Sequence, residues 1–201
     1  MKEKLLLLDL DGTLIETATG HTFPKGCWDM KFKEGILDAI KNYNPSGIFI
    51  CSNQGGIAKG FVNESGFIAK SAYICKCIEE YTGISLVNFT YCTNTEKDNE
   101  DRKPNIGMFK KACDYFNVHT PQSYLMVGDA SGLPGNFSDS DKVFADNAGC
   151  KYMDVEDFIS LYGKKSLNSV FRWFLFRISP INAVSKLKNI FTHKIRYYER
   201  F

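Results

Sequence analysis

The sequence predicts an α/β fold in which helices cover both faces of a central parallel sheet, a Rossmann-like three-layer sandwich. Short apolar runs recur along the chain and end in glycine and polar residues, as at Leu5–Leu8. Strands that are buried on both faces of a parallel sheet have this pattern. Between the runs lie longer segments with apolar residues at helical spacing. This alternation is typical of successive βα units.

The composition is that of a folded protein with one sizeable core. The chain has 201 residues, of which 44% are hydrophobic. Its seven cysteines follow no even, closely spaced pattern, so we expect reduced thiols and neither a disulfide framework nor a zinc site. Nothing before Leu5 resembles a secretory signal, and the sequence therefore predicts an intracellular protein, cytoplasmic or nuclear and not secreted.

Charge divides the chain into two parts. Residues 1–163 contain 16 Lys and Arg against 22 Asp and Glu, whereas residues 164–201 contain nine against one. We predict a folded domain over 1–163 and a helical extension over 164–201, in which apolar residues recur at helical spacing on both sides of Pro180. The basic extension is expected to contact the domain or a second subunit, nucleic acid, or an anionic membrane surface, and these three interpretations stay open.

The first predicted strand, Leu5–Leu8, ends in the sequence DLDGTL. Asp9 and Asp11 are one residue apart, so their side chains point the same way while the strand conformation persists. Open α/β sheets bind ligands in the crevice beyond the carboxyl ends of their strands. Gly12 permits a tight turn in which backbone amides from Leu10 to Gly12 face a bound anion. The sequence therefore predicts a ligand site after the first strand.

Residues 13–32 are punctuated by glycine and proline and show no helical period, which predicts a hairpin or flap beside this site. Two of its aromatic residues, Phe23 and Trp28, either stack on a nucleic-acid base or anchor the hairpin. His21 is expected to be a solvated flap residue.

The second βα unit brings polar residues to the same edge of the sheet. A helix over Lys33–Asn42 and a strand over Gly47–Cys51 are followed by SNQGG. The hydroxyl of Ser52 is suited to donate a hydrogen bond to a phosphate, and the glycines allow the backbone to approach it closely. A long helix over Glu64–Tyr81 and a third strand over Leu86–Tyr91 come next.

A polar loop then ends in Arg102, Lys103 and Pro104. Pro104 is predicted to open a helix, with Lys103 just outside its first turn. The charge of a lysine opposes the helix dipole at that end. The placement is explained if Lys103 and the helix N-terminus share a bound anion, so we expect Lys103 to neutralise a phosphate.

The fourth strand, over Ser123–Val127, leads into VGDASG. Asp129 at its end supplies an oxygen ligand of the kind Mg²⁺ prefers, and together with Asp9, one backbone carbonyl and the phosphate it would complete a magnesium site. Asp141 either lies beside the metal or substrate or caps the helix that is predicted over Lys142–Asn147. A strand over Cys150–Met153 and a helix over Asp154–Leu161 complete the domain.

These motifs resemble, in order, those of the haloacid dehalogenase-like (HAD) phosphohydrolases. The finer resemblance, over Lys4 to Ile159, is to the 3′-phosphatase domain of polynucleotide kinase/phosphatase, through DLDGTL, GHTFP, SNQGGI, RKPxxGM and VGDASG continuing to FSDSDKVFADNAG. It implies a Mg²⁺-dependent hydrolase that removes 3′-phosphate from DNA or RNA ends in nucleic-acid repair, with no large cap domain. The implied residues are a nucleophile, Asp9; a general acid/base, Asp11; phosphate-neutralising Ser52 and Lys103; substrate contacts at Leu10, Gly12, Asn53, Gln54 and Arg102; and metal ligands Asp9, Asp11 and Asp129.

Two other functions remain open. The histidinol-phosphate and heptose-bisphosphate phosphatases share DxDGT, NQxGI and KPxxGM, but often carry a Cys/His zinc loop before the KP, which this sequence lacks. A non-catalytic module that binds nucleic-acid ends is less favoured, because it has no need of both a nucleophile and an acid. The sequence contains no GxxxxGK[ST], so we expect no kinase activity and no nucleotide cofactor. Asn136 stands where the resembled domain usually has Asp, and no role is assigned to it.

Overall fold

A computed structural model describes residues 4–21, 24, 26 and 28–163. The strands are β1 (Leu5–Leu8), β2 (Ile15–Glu16), β3 (Lys31–Phe32), β4 (Gly47–Asn53), β5 (Val87–Cys92), β6 (Tyr124–Gly128) and β7 (Lys151–Asp154). The helices are α1 (Ile36–Tyr43), α2 (Gly55–Ala58), α3 (Glu64–Thr82), α4 (Gly107–Phe116), α5 (Ser140–Ala148) and α6 (Val155–Tyr162).

Five of the strands form a parallel sheet in the order β5-β4-β1-β6-β7. The order reverses direction at β1, which has β4 on one side and β6 on the other. In open α/β sheets the crevice at such a switch point holds the ligand. The predicted fold class, a parallel sheet between layers of helices, is confirmed.

The side chains of β1 alternate between two cores. Leu6 and Leu8 pack with residues of α1, α3 and α6, while Leu5 and Leu7 pack with residues of α4 and α5 on the opposite face. All four leucines are buried, and each contributes roughly 1.5–3 kcal/mol through the hydrophobic effect. This burial on both faces explains why the strand reads as an unbroken apolar run.

The predicted flap is a hairpin in which β2 and β3 pair antiparallel. The Thr19 amide and hydroxyl donate to the two carboxylate oxygens of Asp29, at 2.9 and 2.7 Å. Trp28 packs edge-on against Tyr73 of α3, with ring centroids 5.8 Å apart, which supports its interpretation as an anchor of the hairpin. His21 is exposed, and Phe23 lies outside the described residues.

The predicted strands and longer helices agree with the structure to within three residues at each end. One difference affects the site: the helix expected from Pro104 begins at Gly107, so Lys103 belongs to the preceding turn and not to a helix terminus. The short helix α2 was not predicted. The basic extension, 164–201, lies outside the described residues. Within residues 4–21, 24, 26 and 28–163, no helix combines the length and the apolar character that a bilayer crossing requires.

Candidate active site

The predicted site residues converge at the carboxyl ends of the central strands. Asp9 follows β1, Ser52 lies near the end of β4, and Asp129 follows β6. The Asp9 amide donates to the Val127 carbonyl of β6 at 3.0 Å, which holds the two strand ends together. The sheet therefore brings residues that are distant in sequence to one edge.

A buried lysine links two carboxylates at this edge. Lys103, only 3% exposed, donates from Nζ to Asp9 Oδ1 at 2.5 Å and to Asp141 Oδ1 at 2.7 Å. Asp141 is itself buried, and its Oδ2 accepts from the Ala130 amide at 3.2 Å. A buried charge is tolerated when it is paired in this way.

Three of the carboxylates could hold a metal ion. Asp9, Asp129 and Asp141 each offer an oxygen, and these oxygens lie within 4.8 Å of one another. The three ionised carboxylates and Lys103 together carry a net charge of about −2, which a divalent cation would balance. The donor set, all carboxylate oxygen, fits the preference of Mg²⁺.

This cluster differs from the predicted metal ligands in one residue. Asp141 belongs to it, whereas the side chain of Asp11 does not. The alternative that Asp141 is a helix N-cap is wrong, because Asp139 occupies that position at the start of α5. Asp141 lies two residues further on, in the first turn of α5, and its carboxylate accepts from Lys103.

Burial and charge perturb the ionisation of these groups. Burial raises the pKa of Asp9 to about 8, with Asp141 and Asp129 acting in the same direction and Lys103 opposing them. Burial acts to lower the pKa of Lys103, but Asp141 and Asp9 outweigh it and raise this pKa above its ordinary value. Lys103 is therefore charged at neutral pH, and a cation at the cluster would favour the ionised form of Asp9.

Two glycines allow the carboxylates to approach the backbone. A Cβ on Gly12 would lie 2.1 Å from Asp129 Oδ2, and a Cβ on Gly128 would lie 2.2 Å from Asp141 Oδ2. Gly12 also has a φ of +85°, which side-chain-bearing residues rarely adopt. Its amide donates to the Ile15 carbonyl at 2.8 Å and is engaged within the turn, while a contact of Gly12 with an anion stays a prediction.

Asn53 holds the backbone of Lys103. Its Nδ2 donates to the Lys103 carbonyl at 3.0 Å, and its Oδ1 accepts from the Lys103 amide at 2.9 Å. This paired contact joins the end of β4 to the loop after β5. The contact fixes the position of Lys103, so the helix terminus that the sequence suggested is not needed to explain it. A contact of Asn53 with substrate stays a prediction.

Asp11 lies at the mouth of the site, with its side chain 54% exposed. Its Oδ2 accepts from Gln54 Nε2 at 2.6 Å, and the same nitrogen donates to Ser52 Oγ at 2.9 Å. Lys70 of α3 places its Nζ 4.0 Å from Asp11 Oδ1. The predicted acid/base residue is therefore flanked by two donors.

Two other predicted substrate contacts are engaged within the protein. Arg102 donates from Nη1 to the Asn94 carbonyl at 3.0 Å. Leu10 is buried, and its carbonyl accepts from the amides of Leu14 and Ile15 at 2.9 and 3.0 Å. Contacts of Arg102 and Leu10 with substrate stay predictions.

Three contributors were not found from the sequence. Thr13 is buried with its hydroxyl 3.4 Å from Asp129 Oδ1, and Asn136 donates to the Asp129 carbonyl at 2.6 Å. Lys70 is buried on the face of α3 that carries Phe67 and Ile74. A lysine at a position where the helical period requires an apolar residue was the signal that could have drawn attention to it.

The fold and the site together define a phosphatase of the HAD superfamily. Residues 4–159 match the family described as Polynucleotide kinase 3 phosphatase, and the chain belongs to this family.

This chain is similar to relatives of two kinds, one acting on a sugar phosphate and one on polynucleotides. A D-glycero-β-D-manno-heptose-1,7-bisphosphate 7-phosphatase of Haemophilus ducreyi is 32% identical over 138 residues, which cover 64% of this chain and 74% of the relative. A bifunctional polynucleotide phosphatase/kinase of Schizosaccharomyces pombe is 31% identical over 163 residues, which cover 78% of this chain but 37% of that longer protein.

A solved structure supports the fold. The D,D-heptose 1,7-bisphosphate phosphatase of B. bronchiseptica, complexed with magnesium and phosphate, superposes with a TM-score of 0.58 at 23% identity, covering 74% of this chain and 78% of that one.

Proposed function

We propose that this phosphatase removes the 3′-phosphate from polynucleotide ends, DNA or RNA, with Mg²⁺ and through an aspartyl phosphate on Asp9. The observation that carries the reaction is the ion pair of Asp9 with Lys103 beside the oxygens of Asp129 and Asp141. The family match supports the polynucleotide substrate. The small hairpin that flanks the site suits the end of a polymer better than a closing cap would.

In the proposed reaction, a carboxylate oxygen of Asp9 attacks the phosphorus as the bond to the leaving oxygen breaks. Asp11 gives a proton to that oxygen and then takes a proton from the water that hydrolyses the aspartyl phosphate. Lys103 and the hydroxyl of Ser52 neutralise charge on the phosphoryl oxygens. Mg²⁺ held by Asp9, Asp129 and Asp141 would supply further positive charge to the same oxygens.

A second candidate is the hydrolysis of a small sugar or amino-alcohol phosphate. The similarity to the heptose-bisphosphate phosphatase of H. ducreyi favours it as strongly as the S. pombe relative favours polynucleotides. Both candidates use the same residues and differ in the leaving group. A non-catalytic end-binding module remains the least favoured, because Asp9 and Asp11 would serve no purpose in it.

One assay separates these functions. Phosphate release is measured from a 3′-phosphorylated oligonucleotide, from heptose 1,7-bisphosphate and from histidinol phosphate, with Mg²⁺ and with EDTA. We expect the oligonucleotide to have the highest kcat/KM, with activity lost in EDTA and in Asp9→Asn. A higher kcat/KM on a metabolite would establish the second candidate, and no release from any substrate would support a binding module. Asp9→Asn with wild-type activity would exclude the covalent route.

The basic extension, 164–201, is proposed as a contact for the nucleic-acid strand. Its charge, nine Lys and Arg against one Glu, supports an anionic partner, either a nucleic-acid strand or an anionic membrane surface, and the polynucleotide end proposed as substrate favours the strand. Deleting it should reduce the slope of substrate affinity against salt concentration. An unchanged slope would exclude the nucleic-acid contact.

A further inference from the structure

Gln54 occupies an unusual place between two groups of the site. It is buried, and its Nε2 donates both to Asp11 Oδ2 at 2.6 Å and to Ser52 Oγ at 2.9 Å. An amide nitrogen carries two hydrogens, so these two contacts use both of them. The side chain thus fixes a residue of the phosphate pocket relative to the residue that is expected to move protons.

The direction of these bonds determines what each partner can still do. Because Ser52 Oγ accepts from Gln54, the hydroxyl hydrogen of Ser52 is left to point at another acceptor, such as a phosphoryl oxygen. Because Asp11 Oδ2 accepts from Gln54, the proton that Asp11 transfers is carried on Oδ1. Lys70 lies 4.0 Å from Oδ1, too far for a hydrogen bond, and so leaves that oxygen able to carry the proton towards the leaving group.

Asp11 needs such a tether more than Asp9 does. Asp9 is buried and bound by Lys103, whereas the side chain of Asp11 is 54% exposed. An exposed carboxylate without a fixed partner samples several rotamers, and a general acid must lie within hydrogen-bond reach of the leaving oxygen. The 2.6 Å bond from a buried amide restricts that freedom.

We infer that Gln54 is a positioning residue, which orients Asp11 for proton transfer to the leaving group and directs the hydroxyl of Ser52 towards the phosphate. The inference deepens the proposed function and rests on it, since it takes Asp11 as the acid. In the first step the Asp9–phosphorus bond forms, the phosphorus–oxygen bond to the leaving group breaks, and the proton on Asp11 Oδ1 passes to that oxygen. Gln54 takes part in this step through Asp11 and Ser52, which use both of its N–H hydrogens, and a direct contact of Gln54 with substrate stays a prediction.

The test compares two leaving groups. An alkoxide, as from a 3′-phosphorylated oligonucleotide, needs a proton in order to depart, whereas the nitrophenolate of p-nitrophenyl phosphate departs without one. The measured quantity is kcat/KM, because it reports the steps up to leaving-group departure and excludes hydrolysis of the aspartyl phosphate. The variant is Gln54→Met, which keeps the length of the side chain and removes both N–H donors. Gln122→Met, at an exposed position before β6, is the matched control.

We expect Gln54→Met to lower kcat/KM about 30- to 100-fold or more on the alkyl phosphate, within the range of general acid catalysis. On the aryl phosphate we expect a loss of about 3-fold or less, so the ratio of the two falls at least about 10-fold. Ser52→Ala should lower kcat/KM for both substrates by the same factor, because it removes a phosphate contact and leaves the acid in place. Gln122→Met should leave kcat/KM unchanged for both substrates. An unchanged ratio in Gln54→Met would overturn the inference.

Two features keep the result interpretable. The retained aryl phosphatase activity reports a folded site. If Gln54→Met does not fold, Gln54→Leu has a similar volume, lacks the N–H donors and should lower the ratio of the kcat/KM values likewise. If the wild type does not hydrolyse the oligonucleotide, the proposed substrate fails. The same ratio is then measured with whichever alkyl phosphate the wild type does hydrolyse, and the role of Gln54 is decided independently.

Discussion

Replacing Asp9 by asparagine is expected to abolish activity and yet to stabilise the fold at pH 8 in the absence of divalent cations. The reason is the raised pKa of Asp9, which burial moves from 3.8 to about 8. The folded state therefore favours the protonated carboxyl, while the unfolded chain ionises near pH 4. The stability that this group contributes is complete below pH 4, declines as the pH rises, and is lost by about pH 8.

The size of the effect follows from this difference. About four pH units at 1.36 kcal/mol each set a ceiling of about 5–6 kcal/mol for the cost of ionising Asp9 in the fold. Asparagine avoids that cost, in which the attraction of Lys103 is already included, and its amide oxygen can still accept a hydrogen bond from Lys103 Nζ. We therefore expect Asp9→Asn to be more stable than the wild type at pH 8, by no more than this ceiling.

The assay is urea unfolding in EDTA between pH 4.5 and 8.5. The gain in Asp9→Asn should shrink as the pH falls, and added Mg²⁺ should raise the stability of the wild type more than that of the variant, because the cation binds the folded carboxylates. Asp11→Asn is the control, and its half-exposed side chain should leave stability within about 1 kcal/mol of the wild type. The reasoning is refuted if Asp9→Asn is no more stable than the wild type at pH 8 in EDTA.

Three further substitutions test other parts of the site. Lys103→Met should lower the free energy of unfolding by about 3–5 kcal/mol, because it leaves two buried carboxylates without their cation. It should also reduce phosphate release below detection. Wild-type stability of this variant in urea would contradict the prediction. Asn53→Ala removes both hydrogen bonds to the Lys103 backbone and should cost about 1–3 kcal/mol in urea unfolding together with a loss of kcat. The exposed control Gln122→Ala should reproduce neither effect. Gly12→Ala places a Cβ 2.1 Å from Asp129 Oδ2 and should remove the Mg²⁺-dependent rise in melting temperature; an undiminished rise would show that the turn adapts.

Much of the fold was predictable because each strand of the sheet carries its own local signal. Burial on both faces makes β1 an unbroken apolar run, and helix α3 ends where Gly83 adopts a positive φ of 82°. The order of the strands was not predictable in this way, because pairing joins residues that are far apart in sequence. Neither was the start of α4, since Pro104 favours a first helical turn whereas the contact of Asn53 with Lys103 holds this segment in a separate turn.

For the site, the sequence identified the residue types that follow each strand but not how they pair. Asp9, Ser52, Lys103 and Asp129 come together as expected. The exchange of Asp11 for Asp141 in the acidic cluster depends on the direction of two side chains, which spacing in the sequence does not determine. The hydrogen bonds of Gln54 to Asp11 and Ser52 could not be predicted for the same reason, because the partners of an amide group are known only once the positions of the acceptors are known.

The sheet and the loop that carries Lys103 differ in how readily they can open. β1 is hydrogen-bonded to strands on both sides, so its amides should exchange with solvent deuterium only when the whole domain unfolds. Lys103 is delivered by the connection between β5 and α4, which is held at the sheet edge by the side-chain bonds of Lys103 and Asn53 and not by strand pairing. We consequently expect mild denaturant to abolish catalytic activity while the sheet is still intact. The loss of activity would then report local unfolding of this connection and not global unfolding.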